Sequence, residues 1–293
     1  MPVEPTVKVE GLQTRGFDGI KAGNSCVTGF VVDLRRSVVD SEKGDILTPY
    51  HGVGSVAGCS FANFHGNTRQ KLNLKLGDPS ANFTIWSFEQ TKVGVTSLRL
   101  CPDNAKANLE IRVVGYYADK KPNIFQGIIS YELGPPKHHH SFYGFNVPHW
   151  NVTYTDIPPS TRGGSPGSPV VDEMGNAVGM LVAVGPYAWA TGSISLEAPL
   201  RAFRCLQEGK QFRRGDVQCR FGHTIQKGTD LVRVDKVLPM GVSDGKLEVG
   251  DYLTHVDAEI VTSLDVDQYF DGKIDKDVEL VLLRNEREVR VTI

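Results

Sequence analysis

Two segments of the chain carry residue types able to do nucleophilic chemistry. The first is Gly44-Asp45-Ile46-Leu47-Thr48-Pro49-Tyr50-His51, an apolar run that ends on an imidazole. The second lies far downstream, Gly163-Gly164-Ser165-Pro166-Gly167-Ser168-Pro169-Val170-Val171. An imidazole that can take a proton, and a hydroxyl on a tight turn whose backbone N–H groups face a developing oxyanion, are the parts of acyl transfer by serine. A Gly-x-Ser-Gly-x-Pro loop supplies such a turn, because its glycines permit the sharp backbone path. Gly164 to Pro169 fits that loop at every position but one: Pro166 stands in the nucleophile's place. Proline brings neither a hydroxyl nor a backbone N–H, so both the attacking group and one oxyanion donor are lost, while Gly164 keeps the other oxyanion position. Two serines flank the gap. Ser165 would need the loop to shift by one residue, and Ser168 lies where the chain should already enter the next strand. Proline's fixed φ and its restriction on the preceding residue oppose both rearrangements, with Ser165 the better placed. A lone histidine after a strand is ordinarily structural; His51 gains meaning only from the loop downstream.

The elements that must position these groups read as short strands. Residues 26–33 (CVTGFVVD), 45–48 (DILT), 109–117 (LEIRVVGYY) and 123–132 (NIFQGIISYE) are rich in Val, Ile, Phe and Tyr and are bounded by turn residues. Their number and spacing, without helical periodicity between them, favour a β-barrel or sandwich over a βαβ fold. The first strong helical pattern is 200–206 (LRAFRCL), after Pro199 and before Gly209. It lies beside a plausible boundary that divides the chain into domains 1–209 and 210–293. Beyond it, the pattern predicts a strand at 230–238, a turn at Pro239-Met240-Gly241, a short helix near 264–269, and closing strands at 278–283 and 288–293. No internal sequence repeat is visible.

Composition narrows the field. The 293 residues are 40% hydrophobic and 23% charged, as in ordinary globular domains, and 32 basic against 34 acidic side chains leave a net charge of −2. No charge block nominates nucleic acid as a partner, and the Arg213-Arg214 pair reads as a solvated loop. No secretory signal and no membrane-span-length apolar run is seen. Five widely spaced cysteines without a CxxC pair argue for reduced thiols, hence an intracellular setting, and against a disulfide framework or a zinc site. His138-His139-His140 reads as an exposed loop after two prolines, and no metal or other cofactor is indicated. The acceptor patterns at Asn82 and Asn151 read as chance.

The stretches TGFVVD at Thr28, GDILTPYHGVG at Gly44, GDPSANF at Gly77, EIRVVG at Glu110, GIIS at Gly127, GGSPGSPVV at Gly163 and PLRAFRCLQ at Pro199 occur in collinear order over most of the first domain. Together they resemble the HtrA/DegP serine protease family, and within it the fungal nuclear, pro-apoptotic HtrA-like proteases. The resemblance implies a mostly β fold: a chymotrypsin-like double β-barrel followed by a PDZ-like domain. It also implies a triad whose histidine is His51, whose serine position is Pro166, and whose acid position falls on Asn82, within Asp78-Pro79-Ser80-Ala81-Asn82-Phe83. An amide there cannot stabilise an imidazolium; in a well-studied protease that change lowers turnover by about 10⁴. Members of the fungal group are much longer, with two protease-like units and several PDZ-like domains.

The second half supports the same resemblance. Leu247-Glu248-Val249-Gly250-Asp251-Tyr252-Leu253-Thr254-His255-Val256-Asp257 is similar to the PDZ signature L-x-x-G-D-x-L-x-x-V-[DN]. Such domains add an extended peptide to a sheet edge and hold its carboxylate on backbone N–H groups. The resemblance places that site at Asp230, Leu231 and Val232, with Asp230 where the family usually has glycine. The expectation is thus a catalytically degenerate HtrA-like protein of the nucleus or cytoplasm whose partners are polypeptides, neither nucleic acid nor membrane. The alternatives are a residual serine endopeptidase using Ser165, and a regulatory partner of an active relative. The sequence leaves open whether it assembles with itself or with another chain.

Overall fold

The protein is described by a computed structural model at residues 6–12, 24–32, 43–50, 60–64, 69–78, 81–89, 97–116, 122–129, 152–156, 166–184, 191–194, 196–226, 229–262 and 266–293. These residues divide between Leu200 and Arg201 into two compact units.

The first unit holds two closed barrels. Strands β1 (Thr6–Leu12), β2 (Asn24–Val32), β3 (Lys43–Thr48), β4 (Ser60–Asn63), β5 (Arg69–Asp78) and β6 (Phe83–Glu89) close in the order β1-β2-β3-β6-β5-β4. Strands β7 (Glu110–Tyr116), β8 (Pro122–Ile129), β9 (Val152–Asp156), β10 (Pro169–Val171), β11 (Ala177–Val184) and β12 (Thr191–Ile194) close as β7-β8-β9-β12-β11-β10. The two orders are the same, so the topology repeats although the sequence shows no repeat. Closure leaves neither barrel an open edge, and each can bury one face of every strand. Val31, Ile46, Ala62, Leu72, Trp86 and Phe88 fill the first barrel, and Ile111, Val113, Ile129, Val170, Val178 and Leu181 fill the second.

A single extended segment joins the barrels. Leu98 N donates to Val31 O at 2.8 Å, on the first barrel. Ala177 N donates to Arg99 O and Cys101 N donates to Ala177 O, both at 2.8 Å, on the second. These bonds account for the backbone groups of a stretch that would otherwise be buried unpaired.

Helix α1 (Glu197–Gln207) begins before Pro199, earlier than the sequence pattern suggests, because a proline in the first helical turn has no N–H partner to lose. In the second unit, β13 (Cys219–Gln226), β14 (Thr229–Val237), β15 (Tyr252–Val256), β17 (Glu279–Arg284) and β18 (Arg287–Thr292) form one sheet in that order, with β16 (Glu259–Ile260) paired to β15. The short helix expected near 264–269 is a 3-10 helix, Val266–Phe270, packed with Val217, Cys219, Phe221, Val234 and Leu253 in one core. Leu247, Leu253 and Val256 of the signature point inward, and its Asp251, 1% exposed, accepts hydrogen bonds from Glu248 N at 2.8 Å and from Arg284 Nε and Nη2 at 2.8 and 2.7 Å. Gly250-Asp251 is therefore a structural clamp. Among the described residues no helix is long and apolar enough to cross a membrane.

Candidate functional site

Pro166 sits where the two barrels meet. Its carbonyl accepts a hydrogen bond from Thr28 N of β2 at 2.9 Å, while Gly167 N donates to Leu181 O of β11 at 2.6 Å. The loop is thus held by one backbone bond to each barrel. Gly167 adopts φ +93°, and a Cβ there would lie 1.7 Å from Thr28 O and 2.8 Å from Pro49 Cδ. Only glycine fits, for space and for backbone conformation alike. Ser168 is fully buried, its carbonyl accepts from Leu181 N at 2.9 Å, and a Cβ on Gly115 would meet its Oγ. That burial removes Ser168 as a nucleophile. Gly164, Ser165 and His51 lie outside the described residues, as does His138-His139-His140.

The segment that leads to His51 is firmly placed. Thr48, Thr84 and Trp86 form a buried polar cluster at the end of β3: the two hydroxyls bond to each other, and Trp86 Nε1 donates to Thr48 Oγ1 at 3.1 Å and to Thr84 Oγ1 at 3.0 Å. One residue before His51, Tyr50 N donates to Asn82 O at 3.1 Å. A backbone bond thus ties Asn82 to the residue that precedes His51 in sequence. Asp78 Oδ1 accepts from Ala81 N at 2.9 Å and tightens the β5–β6 turn, after which Asn82 takes φ 54°. Asparagine and aspartate are among the few non-glycine residues that adopt this left-handed conformation readily. Asn82 is 1% exposed, which also rules it out as a glycan acceptor.

In the second unit the expected peptide site needs correction. Asp230, Leu231 and Val232 lie on β14, where they pair with Ile225, Thr224 and His223 of β13; Val232 also pairs with Leu253 of β15. Val232 therefore has strand neighbours on both sides and cannot accept an added strand there, whereas Asp230 and Leu231 pair with β13 alone among the described residues. The terminal strand is β13, and among the described residues no other strand pairs with it. Nor is Arg214 part of a solvated loop. Its side chain is 9% exposed and its Nη1 lies 2.7 Å from Asp267 Oδ2, although Arg213 beside it is exposed.

Sequence reasoning singled out Pro166 and Asn82 but missed the residues that anchor them. Thr28, Leu181 and Tyr50 act through backbone atoms, which leave no side-chain signal. The edge strand β13 was missed because sheet order is set by non-local pairing. No group of three or more metal-ligating side chains gathers among the described residues.

Comparison with known proteins adds to this geometry. Residues 27–180 match the trypsin-like peptidase domain family. The pro-apoptotic serine protease NMA111 of Chaetomium globosum is 35% identical over 99% of this chain and 30% of its own length. Its counterpart in Pyricularia oryzae is 33% identical with the same coverage. The chain therefore spans about 30% of the length of these curated relatives. Among solved structures, the HtrA-type protease AlgW with tripeptide aligns at TM-score 0.68 and 15% identity, covering 99% of this chain and 92% of that one. The serine endoprotease from Yersinia pestis aligns at TM-score 0.61 and 17% identity, covering 99% and 93%. At these identities the structural likeness speaks to fold. The match over residues 27–180 makes this chain a member of the trypsin-like peptidase domain family, with a fold similar to that of HtrA-type proteases.

Proposed function

We propose that the chain is a catalytically degenerate HtrA-like protein that binds polypeptides, through the cleft between its barrels, through a PDZ-like second unit, or through both. The observation that supports this reading is Pro166, read as standing in the nucleophile's place: its carbonyl accepts from Thr28 N, and it is followed by a glycine that admits no side chain and a serine that is wholly buried. Proline there supplies no attacking oxygen and no N–H for the oxyanion. Asn82 adds a second lesion at the acid position, where an amide favours the wrong imidazole tautomer. The cores of both barrels are nonetheless filled among the described residues, which supports a retained protease-like scaffold able to take an extended chain.

The test is labelling with a serine-directed fluorophosphonate, located by peptide mass spectrometry. The chain stays unlabelled, and the double variant Asn82→Asp, Pro166→Ser takes up label at residue 166. Labelling of Ser165 in the unaltered chain would overturn the reading and establish a rebuilt endopeptidase.

A further inference from the structure

Strand β8 departs from the pattern expected of a barrel wall. Successive residues of such a strand point alternately into the core and out of it, and outward positions that meet water are ordinarily polar. Phe125 and Ile129 of β8 pack inward with Ile111, Val113 and Val170. The alternate positions are Ile124, Gln126 and Ile128, and the two isoleucines are 46% and 40% exposed. A strand that is apolar on both faces is the pattern of one covered on both sides. No described residue covers this outer face.

The neighbours of Ile128 turn the face into a groove. Glu110 of β7 pairs with Ile128, and Arg112 pairs with Gln126. Together with Ile111, Gly127 and Glu173, which lies in the turn after β10, they line a groove of about 360 Å³. Glu110, Gln126 and Glu173 are exposed, and Arg112 is half-buried. None of these four side chains has a hydrogen-bond or ion-pair partner among the described residues. Two uncompensated carboxylates and one uncompensated guanidinium therefore stand beside an aliphatic wall. The barrel is closed, so it offers no open main-chain edge here and side chains must hold any ligand. The groove is also remote from the Pro166 loop. Glu110 is at the other end of β7 from Gly115, which abuts Ser168, about 17 Å along the strand.

These features select one kind of occupant. An aliphatic wall that ends in carboxylates matches a lysine or arginine side chain, whose methylenes cover apolar surface while the cation reaches the acid. Arg112 repels a bare polycation and calls for an acceptor such as a peptide carbonyl. A purely apolar partner would leave all three charges dehydrated and unpaired. We propose that this outer face of the second barrel docks a basic, aliphatic stretch of a partner polypeptide. Its cation is met by Glu110 and Glu173, its aliphatic side chains lie over Ile124 and Ile128, and a carbonyl accepts from Arg112. The site is separate from the two peptide-binding regions proposed above and does not depend on either.

The test uses the full 293-residue chain and three hexapeptide pools, fluorescein-labelled at the N-terminus and amidated at the C-terminus. Each pool mixes Ile, Leu and Val around one fixed position, occupied by Lys, Gln or Glu. Fluorescence anisotropy gives the affinity. Carbodiimide coupling of the peptide lysine to protein carboxylates, located by mass spectrometry, gives the place. The lysine pool should bind about fivefold or more tighter than the glutamine pool, the margin of two partly exposed ion pairs, and the glutamate pool should bind most weakly. Coupling should fall on Glu110 or Glu173. The double variant Glu110→Gln, Glu173→Gln should lose the preference for lysine, and Ile128→Ser should weaken all three pools; substitutions at such exposed positions leave folding intact. Equal affinity for the lysine and glutamine pools would overturn the charge selection. Coupling confined to other carboxylates would overturn the site while leaving polypeptide binding in place. A dimer in sedimentation that dissociates in the double variant would assign the face to a second copy of the chain and overturn the proposal, as would binding of none of the pools.

Discussion

At Gly167 the requirement for glycine comes from a backbone atom of the other barrel, Thr28 O, and from a φ of +93°. An alanine there must pay for the left-handed backbone and displace the loop, together a loss of at least about 2 kcal/mol. Chemical denaturation of Gly167→Ala should show this directly, and wild-type stability in that variant would mean the loop relaxes freely. Asn82 makes the opposite case. Its φ of 54° suits aspartate as well, so Asn82→Asp meets no backbone penalty and any loss it shows reports the cost of a carboxylate at a 1% exposed position, whereas β-branched Asn82→Val should fall by about 2 kcal/mol or more. Pro166 and Asn82 could be singled out in the sequence because each interrupts a pattern of side-chain type. Thr28 and Tyr50 were not, since their part is played by main-chain atoms that any residue carries. The burial of Ser168 was foreshadowed only by its position beyond the turn.

At the scale of elements, the hairpin that follows the loop is fixed by one carboxylate. Buried Asp172 accepts from Asn176 N at 2.8 Å, from Asn176 Nδ2 at 3.0 Å and from Asn104 Nδ2 at 3.0 Å, tying the β10–β11 turn to the segment between the barrels. Burial alone would raise its pKa, but hydrogen bonds from the Asn176 side chain and backbone, the Asn104 side chain and the Met174 backbone outweigh it and hold the group below its ordinary value. A depressed folded pKa means the unfolded chain binds the proton more tightly. The stabilisation is therefore complete above the ordinary aspartate pKa of about 3.9 and is lost as pH falls through and below it. Asp172→Asn should lower stability near neutral pH by about 1–3 kcal/mol, and its curve should converge on the wild-type curve as acid protonates the carboxylate. A constant gap down to the acid limit would assign the effect to packing alone. Strand positions were readable from alternation and turn residues, but their order was not. Asp230 to Val232 looked like a peptide edge, but all three pair with β13 and Val232 pairs with β15 as well.

For the whole molecule, the duplicated barrel order shows how one topology can be filled by two unrelated residue sets: Trp86 and Phe88 sit in one core, Ile111 and Val113 in the other. The second unit has a core of its own, from Val217 to Leu282, and its own electrostatic clamp at Asp251 and Arg284. Arg284 also reaches Glu248 Oε1 at 2.7 Å, and its guanidinium is held charged by the Asp251 side chain despite partial burial. Removing Asp251 takes away the buried partner of that guanidinium, leaving it Glu248, and frees Glu248 N, a loss of about 2 kcal/mol after allowing for the partial exposure of Arg284. Two self-sufficient cores predict two calorimetric transitions. Asp251→Ala should lower one of them by roughly 10 °C, as expected for a unit of this size, and leave the other in place. Gly167→Ala should do the reverse, moving the other transition by roughly 4–8 °C because the larger unit has the larger unfolding entropy. A single transition, or two transitions that both shift in either variant, would mean that the units unfold as one cooperative body.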